Sequence, residues 1–163
     1  MEKSKSKEAK DMSPEQMEAR IVRLAFDGDQ LRFREFTAKL KAGLPEGTGV
    51  ALRGSVVTNE RYEDGKQFDA GGRGSSDLDV TLVGDKVMEF WNEDGFYIPA
   101  LHTKPLFDDD PGVAPGLNPL REELQKIAGR PVAFQATANL ILYARDVLFN
   151  EAYFTLIEAQ KAS

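Results

Sequence analysis

Ser76-Asp77-Leu78-Asp79-Val80, together with the earlier run Leu52-Arg53-Gly54-Ser55, decides how this chain is read. Both runs have the apolar setting of a buried strand. Side chains alternate across a strand, so Asp77 and Asp79 share one face, about 7 Å apart, and Leu78, Val80 and Leu82 take the other. Two carboxylates on one strand face repel each other unless a cation lies between them. Mg²⁺ meets that need, because it is bound through one or two carboxylates plus substrate phosphates. Gly54-Ser55 supplies the complement. A glycine at a strand end lets backbone approach a phosphate closely, and the serine adds a hydroxyl and an N–H donor.

In this order the two runs resemble the nucleotidyltransferase superfamily, the polymerase-beta-like fold. Its signature is a strand ending in Gly-Ser, then a strand carrying Asp-x-Asp between apolar residues. The matching residues are Gly54, Ser55, Asp77 and Asp79, with Ser76 just before the first Asp. Residues 53–84 are similar to the nucleotidyltransferase domains of some bacterial polymorphic toxins and of small stand-alone relatives, and the resemblance runs over residues 50–137. It implies a Mg²⁺ (or Mn²⁺) cofactor on Asp77 and Asp79, and a nucleoside triphosphate held by Gly54, Ser55 and Ser76. The implied reaction moves a nucleoside monophosphate onto a hydroxyl acceptor in a protein, an RNA 3′ end or a small molecule. Arg53 has two open readings, a structural ion pair or a phosphate contact. The interval from Ser55 to Asp77 is longer than the family's. The family's third carboxylate belongs on a later strand, where this chain offers Gln135, a donor and acceptor but never a base. Asp69, Asp108, Asp109, Asp110 and Asp146 are the other acids available for that role, all outside a strand. The resemblance therefore also implies an alternative: a nucleotide-binding or protein-interaction pseudoenzyme of the same fold.

At 163 residues the chain suits one full core. Its 41% hydrophobic and 29% charged content is that of a globular domain, not a disordered one. Cysteine is absent, which removes disulfides and thiolate metal sites. No apolar run reaches membrane-spanning length and the first residues, Met1 to Lys7, contain no secretory core, so no membrane partner and a cytoplasmic location are expected. A net charge of −6 disfavours broad binding to DNA, which needs a basic face.

Residues 1–12 read as a disordered basic tail and 13–163 as a single domain. Ser13-Pro14-Glu15-Gln16 is a helix start with a capping box. Met17, Ile21, Leu24 and Ala25 form its apolar stripe, and Asp27-Gly28-Asp29 breaks it. A second helix carries Leu31, Phe33, Phe36 and Leu40, with Gly43 as its cap. Strand one covers 50–53 and strand two 77–83. Between them, 58–75 read as a polar, Gly-rich loop over the site, with Arg73 positioned to touch phosphate. A helix capped by Asp85 follows, with Phe90 and Trp91 as core. Residues 95–117 read as a long loop, whose His102 and Lys104 are candidates to close over phosphates. A helix from Asn118 ends at Gly129, strand three covers 131–137, and 140–159 read as one or two helices covering the sheet. The expected order α-α-β-β-α-α-β-α gives an α/β (α+β) domain, a small mixed sheet flanked by helices.

Overall fold

The computed structural model describes residues 11–59 and 66–160. The expected tail lies outside them except for Asp11 and Met12, and Met12 already packs against the core. Two helices lead the chain: α1 (Pro14–Phe26) and α2 (Gln30–Gly43). The capping box at Ser13 forms, with the Gln16 amide N–H donating to Ser13 Oγ at 3.2 Å and the Ser13 N–H donating to Gln16 Oε1 at 3.0 Å. Asp27 ends α1 in the left-handed region at φ 55°, and Asp29 caps α2. Gly43 is the last residue of α2 rather than its cap. A Cβ there would lie 2.7 Å from Leu120 Cδ1, so the Leu120 side chain of a later helix packs closely over this glycine.

Strand β1 (Gly49–Arg53) is followed by a single helical turn, α3 (Ser55–Thr58), then β2 (Leu78–Val83) and the short α4 (Asp85–Met88). The stretch read as a loop over 95–117 contains a hairpin of β3 (Phe96–Ile98) and β4 (His102–Thr103), then two 3₁₀ turns at Pro111–Val113 and Pro115–Leu117. Strands of two or three residues are too short to show a period of two. Helix α5 (Asn118–Ala128) ends at Gly129, in the left-handed region at φ 69°, and β5 (Val132–Thr137) follows. Beyond it, helix α6 (Leu140–Asp146) is only seven residues long. The chain then leaves the helix and returns as β6 (Phe154–Ile157), which corrects the expectation of helices through 159. Short apolar runs do not separate strand from buried helix by periodicity, and Phe-Thr-Leu-Ile has a strand's composition.

The six strands form one mixed sheet in the order β3-β4-β5-β2-β1-β6. β1 runs antiparallel to both β2 and β6, and β2 runs parallel to β5. Register divides the sheet into two unlike faces. Leu78, Val80 and Leu82 pair with Val132, Phe134 and Ala136, and all six are buried. With Val50 and Leu52 they form the core face under α1, α2 and α5. The opposite face carries Arg53, Asp79, Thr81, Gln135, Thr137 and His102 in successive registers. Tyr143 of α6 covers its middle. Two apolar expectations shift. Leu31 is 75% exposed, Phe90 is exposed, and only Trp91 of the Phe90-Trp91 pair is buried, its indole N–H donating to the Lys104 carbonyl at 2.8 Å.

Candidate functional site

Because β1 and β2 are antiparallel, the exit of one lies beside the entry of the other, and Arg53 pairs with Asp79. Gly54 turns the chain out of β1 with φ 80° and ψ −154°, a region open essentially only to glycine. A Cβ at Gly54 would lie 2.8 Å from Asp79 Oδ2. The glycine is therefore required twice, for its backbone and for the carboxylate resting against it. Behind this turn, Val56 and Val57 are buried, and the buried Arg20 of α1 donates to the Val57 carbonyl at 3.1 Å.

These residues open onto a cleft of about 510 Å³. One wall is polar: Arg53, Gly54, Ser55, Ser76, Asp77 and Asp79. The rest of the lining includes the segment after α6, with Val147, Leu148, Phe149 and Ala152 beside Glu151. Asp77 sits one residue ahead of β2 and is exposed, and Asp79 is half-buried. Two carboxylates beside a glycine that leaves Asp79 Oδ2 its place form a hard-oxygen donor set. That set suits Mg²⁺, which needs few protein ligands when substrate phosphates supply the rest. Among the described residues no group of three or more His, Cys, Asp or Glu side chains gathers as an all-protein metal cage.

Behind the cleft, Gln135 is engaged at both ends of its amide. Its Oε1 accepts from Arg53 Nη2 at 3.0 Å and from the Tyr143 hydroxyl at 2.7 Å, and its Nε2 donates to the Thr103 carbonyl at 2.8 Å. Register puts Ala133, not Gln135, directly opposite Asp79. Gln135 lies on the same face, level with Thr81. Arg53 is thus held by an amide and by the Tyr143 ring, 5.8 Å from its centroid, while it lines the cleft. Burial pushes the Tyr143 phenol above its ordinary value, with the nearby Arg53 charge acting the other way and Asp79 adding to the rise.

The Gly-rich loop is fastened down where it is described. Asp69 makes a paired contact with the buried Arg130 guanidinium at 2.7 and 3.0 Å and accepts from the Ser76 and Gly74 amides. Arg130 also donates to the Ser76 carbonyl at 3.1 Å, so this knot sets the residue before Asp77. Burial acts to raise the Asp69 carboxyl. The hydrogen bonds from Arg130, Ser76 and Gly74 outweigh it and hold the group below the usual carboxylate range. Residues 60–65 of the expected loop lie outside the described residues.

Three predicted site residues do not line the cleft. Arg73 pairs with Asp27 at 2.6 Å. His102 is buried in β4, with Nδ1 2.9 Å from Thr137 Oγ1 and Nε2 3.0 Å from Asp146 Oδ2. Lys104 is committed through its backbone, to Gly95 and to Trp91. Of the acids considered for the third position, Asp69 belongs to the Arg130 knot, Asp108 pairs with Arg121, and Asp146 binds His102 and Arg145. Asp109 and Asp110 are exposed and also lie away from the lining. Sequence reading missed Glu151 and Phe149, because the stretch that holds them reads as helix. The one signal was Asn150, a residue type that tolerates the left-handed region. No family model, curated protein sequence or solved structure matched the chain.

Proposed function

We propose that the cleft is the active site of a metal-dependent nucleotidyltransferase, which moves a nucleoside monophosphate from a nucleoside triphosphate to a hydroxyl of a protein, an RNA 3′ end or a small molecule. The observation that carries this reading is the meeting of Gly54-Ser55 and Asp77/Asp79, distant in sequence, on one cleft wall with Gly54 seated against Asp79. In the reaction an acceptor oxygen bonds to the α-phosphorus, the α–β bridging bond breaks, and pyrophosphate leaves with the electron pair. Mg²⁺ or Mn²⁺, when bound, supplies positive charge against the phosphate oxygens. Asp77 and Asp79 hold that charge in place. Gly54 and Ser55 bring backbone and hydroxyl donors to the phosphates, and Ser76 closes the same wall. Arg53, fixed by Gln135, presents a permanent cation. Glu151, the remaining carboxylate of the lining among the described residues, is the group with the chemistry to take the acceptor's proton. This chemistry belongs in a compartment holding nucleoside triphosphates and Mg²⁺, hence the cytoplasm. Among the described residues no helix is long and apolar enough to cross a membrane.

A second reading is a pseudoenzyme that binds nucleotide without transferring it. The full engagement of Gln135 favours it, because the position expected to carry an acid is committed to structure. One experiment separates the two. Protein is incubated with α-labelled nucleoside triphosphates, Mg²⁺ or Mn²⁺, and cell extract. Transfer of label by the wild type but not by Asp79→Asn supports the enzyme. Mg²⁺-dependent binding with no transfer supports the pseudoenzyme. Binding that Asp79→Asn leaves unchanged rules out the metal assignment in both.

A further inference from the structure

Phe149 is 67% exposed and lines the same cleft as Asp77 and Asp79. Its φ is 51°, and Asn150 beside it has φ 63°. For a bulky side chain the left-handed region is a true outlier that the surrounding structure must hold in place. The strain is held by the backbone around it. The Leu148 amide donates to the Tyr143 carbonyl, Asn150 to Ala144, and Glu151 to Leu148. Burial gives no reason for the ring to be there, since a side chain this exposed gains little from packing. An exposed aromatic residue held on strained backbone in a cleft lining is a surface built before its ligand arrives. Its neighbours Val147, Leu148 and Ala152 make this part of the lining apolar, while Arg53, Asp77 and Asp79 make another part charged. A ligand matched to both parts has an anionic end and a flat apolar end.

We infer that Phe149 is a stacking platform for the base of a nucleotide, so that the cleft selects nucleoside triphosphates over polyphosphates that lack an aromatic ring. The inference rests on the proposed phosphate site and adds the feature that makes the ligand a nucleotide. A base stacked on an aromatic side chain is sequence-tolerant, because every base has a π-face. The platform therefore gives discrimination against non-nucleotides with modest preference among the four bases.

The test is calorimetry on the full chain with Mg²⁺, titrating ATP, CTP, GTP, UTP and inorganic tripolyphosphate in turn. The wild type binds the nucleotides more tightly than tripolyphosphate. Phe149→Leu, which keeps an apolar side chain and removes the ring, weakens nucleotide binding about tenfold or more and leaves tripolyphosphate unchanged. Phe149→Tyr keeps the wild-type affinities. A merely structural role for the ring predicts instead that tripolyphosphate affinity and thermal stability fall together in Phe149→Leu. Equal nucleotide affinity in wild type and Phe149→Leu overturns the inference and leaves the phosphate site standing. Tripolyphosphate binding with no preference for nucleotides overturns it as well. Failure of every ligand to bind overturns the phosphate site first, and the platform with it.

Discussion

At Gly54 two demands meet in one residue, so its replacement reports on both. Gly54→Ala puts a methyl 2.8 Å from Asp79 Oδ2 and a side chain in backbone space reserved for glycine. We expect a stability loss of about 1–3 kcal/mol, read by urea unfolding, with a fall in Mg²⁺-dependent nucleotide affinity because the carboxylate must turn away. Gln135 makes the opposite case. Glutamate there keeps the acceptor for Arg53 and Tyr143 but loses the donor to the Thr103 carbonyl, setting oxygen against oxygen. Gln135→Glu is expected to destabilise by about 1–3 kcal/mol, the cost of an unsatisfied buried group, without tightening metal binding. A rise in metal affinity would show that the side chain reaches the Asp pair. Glu151 is tested by its amide. On the enzyme reading Glu151→Gln lowers single-turnover transfer by about 10²–10⁴-fold, the usual worth of a general base, with nucleotide affinity unchanged. An unaltered rate would remove Glu151 from the chemistry.

Among the elements, the loop ahead of β2 depends on one ion pair, between the buried Arg130 and the half-buried Asp69. Asp69 titrates below its ordinary value, so its contribution is complete above the unfolded carboxyl value, about 3.9, and is lost as pH falls through the lower folded value. Asp69→Asn leaves Arg130 buried and unpaired, which costs about 3–5 kcal/mol near neutral pH, and the remaining stability should decline less steeply below pH 4. Denaturant midpoints taken across pH 3–7 check both parts. How far this architecture was legible follows the same local logic. The Ser13 capping box, the Asp27-Gly28-Asp29 break and the Gly129 cap are signals carried by a few adjacent residues, and the structure has them where the sequence puts them. So is the alternation at 78–83 that turns Asp79 away from Leu78, Val80 and Leu82. The hairpin at 96–103 and strand β6 were not legible, because their pairing depends on residues far off in the chain. The polar half of the cleft could be read from two motifs. Its apolar half could not, since it exists only because α6 stops at Asp146 and the chain turns through Phe149 and Asn150.

On the scale of the whole molecule, the main apolar core and the candidate chemistry lie on opposite sides of the sheet. Helices α1, α2 and α5 bury the core face, and the cleft opens at the edge of the polar face. Leu40→Ala, deep in the helix layer, should therefore cost about 2–5 kcal/mol in urea unfolding while nucleotide affinity in calorimetry stays within about twofold. A matching loss of affinity would mean that the faces are coupled. The pairing of β1 with β6 also has a consequence for the order of events during synthesis. Domains form from the N-terminal side as the chain emerges, but non-local pairings must wait for both partners. Of the strands among the described residues, β1 leaves the ribosome first and β6 last. Until then β1 has one bare edge, a template for pairing with other nascent chains. Residues 147–152 of the lining lie just ahead of β6, so a chain made only to residue 146 holds the carboxylate pair without that part of the cleft. Ribosome-bound chains halted before residue 147 should accordingly lack the binding that the full chain has, and the capacity to act on nucleotides would appear only once the segment through β6 has been made.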